Sequence, residues 1–249
     1  MLKQERQKII LDQVYLHNNV LLIDLANQLE VSIDTIRRDV VELESVKKIK
    51  KVHGGATTYG FNSIDPKESN IFLIEKKKAI ASKALSLIKK EQTLLISGGT
   101  TNLELVKILP KKLTLTVFTP SLHIALHLME FPTVEVIFLG GHLLHGAKFA
   151  VGNSVIQSLS EIKVDLCFLG TGYSHPTEGL TEFEEEVAEV KKAMVRAAKQ
   201  TVILSVSDKL HTVQRFKSCG LEEVHYLITE LNPSNPLLDD YSVRSFQIL

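Results

Sequence analysis

"VSIDTIRRDV", Val31 to Val40, sets two adjacent arginines in what otherwise reads as an ordinary amphipathic helix. Ser32 is a good N-cap, because its short side-chain oxygen can accept from an unpaired amide of the first turn. From there Ile33, Ile36, Val40 and Leu43 recur on one helical face. At roughly 100° per residue, Arg38 falls opposite that stripe, Thr35 near it and Arg37 on its flank. Upstream, Leu22, Leu25, Ala26 and Leu29 form a second stripe, with a turn at Glu30–Val31 between the two. A first helix is expected over 2–16, with Ile10 and Val14 one turn apart, and "NNVLL" breaks it. Two helices joined by a tight turn, the second facing outward with hydroxyls and arginines, make a helix-turn-helix. Such a helix fits a major groove, where arginine reaches guanine O6 and N7 while hydroxyls and lysines hold phosphates.

Next comes "KKIKKVHGGAT", Lys47 to Thr57. Ile49 and Val52 can pack inward while Lys47, Lys48, Lys50 and Lys51 face water, and Gly54–Gly55 permits a tight turn. A small basic hairpin of this kind suits a phosphate backbone. The case rests on where charges lie, not on their sum. Residues 1–60 carry nine lysines and arginines against eight aspartates and glutamates, and the whole chain of 249 residues is formally neutral. A helical dimerisation domain with solvated arginines is the competing reading of the pattern alone.

The remaining composition narrows the class. No apolar run approaches the ~18 residues of a membrane span, and "MLKQERQKII" lacks the apolar stretch of a secretory signal. Cys167 and Cys219 show neither metal spacing nor a disulfide framework, which is the usage expected of cytoplasmic thiols. No cofactor, no metal and no membrane partner is expected.

"LANQLEVSIDTIRRDVVELE" followed by "KKVHGGA" resembles the N-terminal winged helix of the DeoR family of bacterial transcriptional regulators. The resemblance implies a recognition helix with Ser32, Thr35, Arg37 and Arg38 at double-stranded operator DNA, and a wing contributing Lys50, Lys51 and His53. One departure stands out: the family usually has Gly followed by Leu-x-Arg where this chain has "VKKIKKVHGGA". Lys50 and Lys51 then replace an arginine as phosphate contacts, without bidentate geometry.

Residues 58–74 are polar with Gly and Pro and read as a linker between a domain at 1–57 and a larger one at 75–249. In the larger part, "TLLIS" (93–97), "LTVFT" (115–119), "VEVIFLG" (134–140), "VDLCFLG" (164–170), "TVILSV" (201–206) and "VHYLIT" (224–229) read as strands. Helical stretches near 75–90, 102–109, 121–130, 153–160 and 184–200 alternate with them, the last carrying Val187, Val190, Met194 and Ala197 on one stripe. This is the pattern of a mostly parallel α/β sheet covered by helices, with ligands beyond the carboxyl ends of its strands. Those ends hold "SGGTT" (97–101), Gly140–Gly141, Gly170 and Gly172, and Lys209. Amides and hydroxyls at a helix start, with a lysine at the same sheet end, suggest a pocket for a phosphorylated small molecule.

The DeoR resemblance continues over residues 80–229, through "SGGTT", "FLGGHLL", "VGNSV", "DLCFLGTG", "EGLTEFEEEVAEVKKAM" and "SDKL". It implies a fold like that of sugar-phosphate isomerases and glucosamine-phosphate deaminases. It also implies a phosphorylated sugar or similar anionic metabolite as effector. Ser97, Gly98, Gly99, Thr100, Thr101, Gly140, Gly141, Gly170, Gly172, Glu182 and Lys209 would surround that effector, with Gly99, Thr100, Thr101 and Lys209 at its phosphate. The family commonly has Asp at the position of Ser97, Asn at Pro120, and Asp-x-Ser-Lys at Val206–Lys209.

An isomerase or deaminase with an accessory helical domain is the rival from another class. Sugar isomerisation needs a carboxylate or imidazole tuned near the working pH. Ser97 and Val206 supply neither, leaving Glu182 and His175 as an improvised pair. The acids of "EFEEEVAEV" read as helix N-terminal charges rather than catalytic groups. His123 with His127, and His142 with His145, lack companion ligands at zinc spacing. The expectation is therefore a cytoplasmic DNA-binding repressor of a sugar or metabolite operon, homo-oligomeric by two-fold operator logic (dimer or tetramer), and no enzyme.

Overall fold

The computed structural model describes residues 1–58, 71–144, 146–242 and 245–249. Most of the stretch read as a linker, and His145, lie outside the described residues. By its internal contacts the chain divides into two compact units, Met1–Phe72 and Leu73–Leu249.

The first unit contains α1 (Lys3–His17), β1 (Asn19–Leu21), α2 (Leu22–Gln28), α3 (Ile33–Ser45), β2 (Lys50–Val52) and β3 (Gly55–Thr57). The α2 stripe is buried throughout, and Ile36, Val40 and Leu43 of α3 pack with Ile10, Val14, Leu25 and Ile49 in one core. Ile33 departs from its expected place. It opens the helix before the chain has turned inward and is 37% exposed, while Asp39 joins the buried face. The expected basic hairpin is present, and "NNVLL" does more than break a helix. Its residues form β1, which pairs antiparallel with β3 to complete a three-stranded sheet ordered β1-β3-β2. The two glycines of "HGGA" therefore have different causes. Gly54 turns the hairpin at φ +69°, and Gly55 lets β1 approach, since a Cβ there would lie 2.5 Å from the Val20 carbonyl oxygen.

Lys47 explains what replaces the family's glycine at the end of α3. It adopts φ +56°, the left-handed conformation that closes a helix. Its N–H donates to the Glu44 carbonyl at 2.8 Å, and that of Lys48 to Leu43 at 3.0 Å. A Cβ in this conformation is strained, so Lys47→Gly is expected to stabilise the unit by up to about 1 kcal/mol. Chemical denaturation of both proteins checks this, and a loss of stability would show that the lysine side chain contributes more than its backbone costs.

In the second unit the strands are β4 (Thr93–Ile96), β5 (Leu115–Thr119), β6 (Val134–Phe138), β7 (His142–Leu144), β8 (Phe149–Val151), β9 (Val164–Gly170), β10 (Tyr173–His175), β11 (Gly179–Glu182), β12 (Ala198–Leu204), β13 (Phe216–Cys219), β14 (Tyr226–Ile228) and β15 (Gln247–Ile248). The helices include α4 (Ile74–Leu85), α5 (Thr100–Lys107), α6 (Leu122–Leu128), α7 (Asn153–Ser160) and α8 (Glu185–Ala197). Seven strands form one sheet ordered β15-β14-β12-β9-β4-β5-β6, with every neighbouring pair parallel. The expected parallel α/β architecture is thus present. The apolar run of β9 is covered on both faces, as a central parallel strand requires, and Cys167 within it is fully buried, its thiol pushed up by desolvation.

Some boundaries differ from the sequence reading. α8 ends at Ala197 and the chain enters β12 at once, so that strand covers 198–204 rather than 201–206. A small antiparallel sheet ordered β10-β11-β13 and a hairpin of β7 with β8 had no counterpart in the sequence reading. Their three- and four-residue strands, such as "YSH" and "FKSC", are too short and too polar to show alternation.

Candidate functional site

In the first unit α3 is capped as expected: the Thr35 N–H donates to Ser32 Oγ at 3.2 Å, and the two hydroxyls lie 2.9 Å apart. Arg37 pairs with Asp34 on the exposed surface, a contact that phosphate can replace at little cost. Arg38 is exposed and, among the described residues, has no ion-pair partner. On the wing, Lys50, Lys51 and His53 are all exposed. The Lys51 N–H donates to Glu44 Oε1 at 2.8 Å, which fastens the wing to the end of α3.

The residue that sequence reading missed is Asp39. Only 2% exposed, it is held by the Arg6 guanidinium of α1 and by the Gln7 amide at 3.4 Å. The Asp39 hydrogen bond raises the Arg6 pKa above its ordinary value. An acid one position before Val40, inside an apolar stripe, was the available signal. The pair pins one face of α3 to α1, and Arg38, next in sequence, points away to solvent.

In the second unit the strand ends converge in part. β4 ends at Ile96, Ser97 after it is fully buried, and Gly99 at φ +107° caps α5, with Thr100 and Thr101 in its first turn. Asn102 donates to the carbonyls of Ser97 and Gly98, both at 3.1 Å, and to Phe168 of β9 at 3.4 Å. Ser97 Oγ and Asn102 Oδ1 are buried without a hydrogen-bond partner among the described residues. Gly170 ends β9 beside this turn: a Cβ on it would lie 3.2 Å from the Gly98 oxygen. After β12, Lys209 donates to the Thr171 carbonyl at 2.8 Å. The ends of β4, β9 and β12 therefore form one cradle.

Gly140 and Gly141 stand outside it. β6 lies two strands from β4 and four from β12, about 10 and 19 Å at the usual strand spacing. A Cβ on Gly141 would meet the Val151 carbonyl at 2.6 Å, so this glycine serves packing against β8 and α7. Glu182 is also committed. It is 7% exposed, accepts from the Lys191 ammonium at 2.6 Å, and accepts from the Gly172 N–H at 3.3 Å. Asp208, the displaced acid of "SDKL", pairs with Lys76 at a part-exposed position.

Two lysines that sequence reading passed over belong to the cradle. Lys191 of α8 is 8% exposed and donates to the Gly170 carbonyl at 2.8 Å as well as to Glu182. Lys77 of α4 is 7% exposed, and burial pushes its pKa down to about 8 against the pull of Glu104 and Asp208. Burial, together with repulsion from Lys77 and Lys191, pushes Lys209 down to about 7, against the pull of Glu182. An anion placed among these lysines would offset both the burial and the repulsion that disfavour the charge of Lys209.

The family model of the DeoR-like helix-turn-helix domain matches residues 6–59, and that of the DeoR C terminal sensor domain matches residues 73–231. The chain belongs to the DeoR family. It is 32% identical to the HTH-type transcriptional regulator GolR of Listeria innocua, over 91% of this chain and 90% of that protein. It is also 32% identical to the HTH-type transcriptional repressor GlcR of Bacillus subtilis, over 96% and 93% respectively. Among solved structures it is similar to ribose 5 phosphate isomerase A from Neisseria gonorrhoeae, at a TM-score of 0.40 and 14% identity, over 56% of this chain and 53% of that one. This DeoR-family chain is a transcriptional regulator and not an enzyme.

The Arg6–Asp39 pair gives this DeoR-family regulator a testable anchor, with side chains 13% and 2% exposed. Arg6→Ala leaves a buried carboxylate without its cation and is expected to cost about 2–3 kcal/mol, short of the fully buried figure because the guanidinium retains some water. Denaturant unfolding followed on the N-terminal unit reads this directly. Stability unchanged within 0.5 kcal/mol, about the usual effect of a surface substitution, would show that the pair does not hold α3.

Proposed function

We propose that this DeoR-family regulator is a repressor of an operon for a sugar or related metabolite, acting in the cytoplasm as a homo-oligomer. Its operator affinity is controlled by a phosphorylated small molecule bound at the end of the sheet. The observation that carries the effector reading is the placement of Lys191 and Lys209 on the backbone after β9, beside the turn that opens α5, with buried Lys77 near enough to repel the charge of Lys209. The amides and hydroxyls of Gly99–Thr101 offer directed donors, and the lysines supply the charge that a phosphate dianion neutralises. For the ligand to release DNA it must bind the DNA-free form more tightly than the DNA-bound form. The repressor sense is favoured by the likeness to GlcR, which is named a repressor.

On the DNA side, Arg38 reads bases while Lys50, Lys51 and His53 lie along phosphates, with Ser32, Thr35 and Arg37 at the groove edge. Arg38→Ala is expected to cost ~1–3 kcal/mol on the cognate operator and to relax sequence preference. Lys51→Ala instead weakens all DNA alike and lowers the salt slope by about one. Fluorescence anisotropy on cognate and scrambled duplexes across a salt series separates the two, and cognate binding unchanged by Arg38→Ala sinks the assignment.

On the effector side, a thermal-shift screen of sugar phosphates on the full chain is expected to give a hit that Thr100→Val with Lys209→Ala abolishes. A hit of undiminished size in that double variant would place the ligand elsewhere. The same site predicts a pH dependence. Lys209 and Lys77, at about 7 and 8, lie below the ordinary lysine value of 10.5, and a bound anion raises both. Binding therefore takes up protons above about pH 7, and affinity falls as pH rises from 7 towards 9. The ligand-free fold has the opposite slope: the unfolded lysines bind more protons across 7–10.5, so stability rises with pH there. Calorimetry in buffers of different ionisation enthalpy reads the proton uptake directly.

A further inference from the structure

We infer that β6, the outer strand of the seven-stranded sheet, pairs antiparallel with β6 of a second copy of this chain across a two-fold axis at Val136. The inference deepens the homo-oligomer reading above by naming its surface.

The two edges of the sheet differ in how they are protected. β15 has only two residues, the kind of short edge that resists pairing. β6 has five, "VEVIF", with no proline, glycine or lysine among them. The direction of its hydrogen bonds fixes which groups remain open. Leu139 donates to the Thr119 carbonyl at 2.9 Å and Leu115 to that of Thr133 at 3.4 Å, so the odd-numbered residues face β5. In a parallel pair successive residues bond to opposite sides, which turns the N–H groups of Val136 and Phe138 outward. The Val134 N–H is taken by the Phe131 carbonyl at 3.1 Å, but its own carbonyl still faces out.

Antiparallel pairing about Val136 uses these groups without remainder on the central positions. Val136 exchanges both bonds with the second copy's Val136, and Phe138 donates to the second copy's Val134. Side chains directly opposite lie on the same face, so Val134, Val136 and Phe138 of each copy join into one apolar row. That row continues into Ala125 of α6, Met129 just after it and Phe131, with which they already line a shallow groove. Met129 is 72% exposed and Leu126 of α6 52% exposed, an apolar surface that a second copy would cover. On the other face Glu135 meets the second copy's neutral Ile137 rather than its own counterpart. No like charges are opposed at this register, whereas pairing centred on Glu135 would bring two carboxylates together. An isologous interface requires such self-complementarity, and a two-fold operator reader requires such a dimer.

The test is a cysteine at the axis in the full-length chain. In a hydrogen-bonded antiparallel pair the two Cα atoms lie ~5.5 Å apart, inside the range a disulfide spans. Cys167 and Cys219 are buried and give little background. Val136→Cys is expected to form a covalent dimer under mild oxidation, and Gln247→Cys, on the opposite edge, to form none. Val136→Lys, which opposes two ammonium groups, is expected to shift sedimentation towards smaller species at micromolar concentration. Equal cross-linking at both edges, or none at Val136→Cys while the parent chain sediments as an oligomer, overturns the edge assignment alone. A parent chain that sediments as a monomer overturns the oligomer reading along with it.

Discussion

Parallel register around β9 is the constraint on which the sensor domain turns. β9 pairs with β4 on one side and β12 on the other, Leu95 opposite Cys167 and Leu204 opposite Gly170. All three strands run the same way, so their carboxyl ends arrive together, and the chain must leave each end over its neighbours. Crowding follows. Gly170 sits where a Cβ would lie a tight 3.2 Å from the Gly98 oxygen, and Asn102 ties the turn after β4 to the carbonyls of Ser97 and Phe168. Into that frame α8 sends Lys191, α4 sends Lys77 and the turn after β12 sends Lys209. Directed strands place the amides, and helices packed on the sheet add the charge.

The DNA-binding unit is organised by a different force. Its apolar core sets where α2 and α3 lie, but apolar contacts are non-directional and tolerate rotation of a helix about its axis. The Arg6–Asp39 pair is directional. It adds a polar key to one side of α3 and thereby fixes which side remains exposed. The wing is tied to the same helix through Glu44, so α3 and the wing share one reference.

Periodicity made much of this legible in the sequence. The α2 stripe, the α3 stripe from Ile36 onward, the cap at Ser32 and the apolar strands β5 and β9 are local patterns, and they appear where the residues place them. What the sequence hid depends on partners far away in the chain. β1 is three residues whose strand character comes from pairing with Gly55 and Ala56. Lys77 and Lys191 sit on helices, where a lysine ordinarily faces water, and only the packing of α4 and α8 against the sheet turns them inward. Asp39 looked like one more surface acid because its partner lies more than thirty residues earlier. Gly141 shows the converse: a glycine after a strand looks alike whether it meets a ligand or, as here, the Val151 carbonyl.

The Glu182–Lys191 pair carries a consequence for signalling. Glu182 is a buried acid of the cradle, and its charge is already answered by an ammonium at 2.6 Å. A site that converted its ligand would erase the quantity it is meant to report, since occupancy would then track turnover rather than concentration. An ammonium so close holds the carboxylate in its charged form and opposes its use as a base.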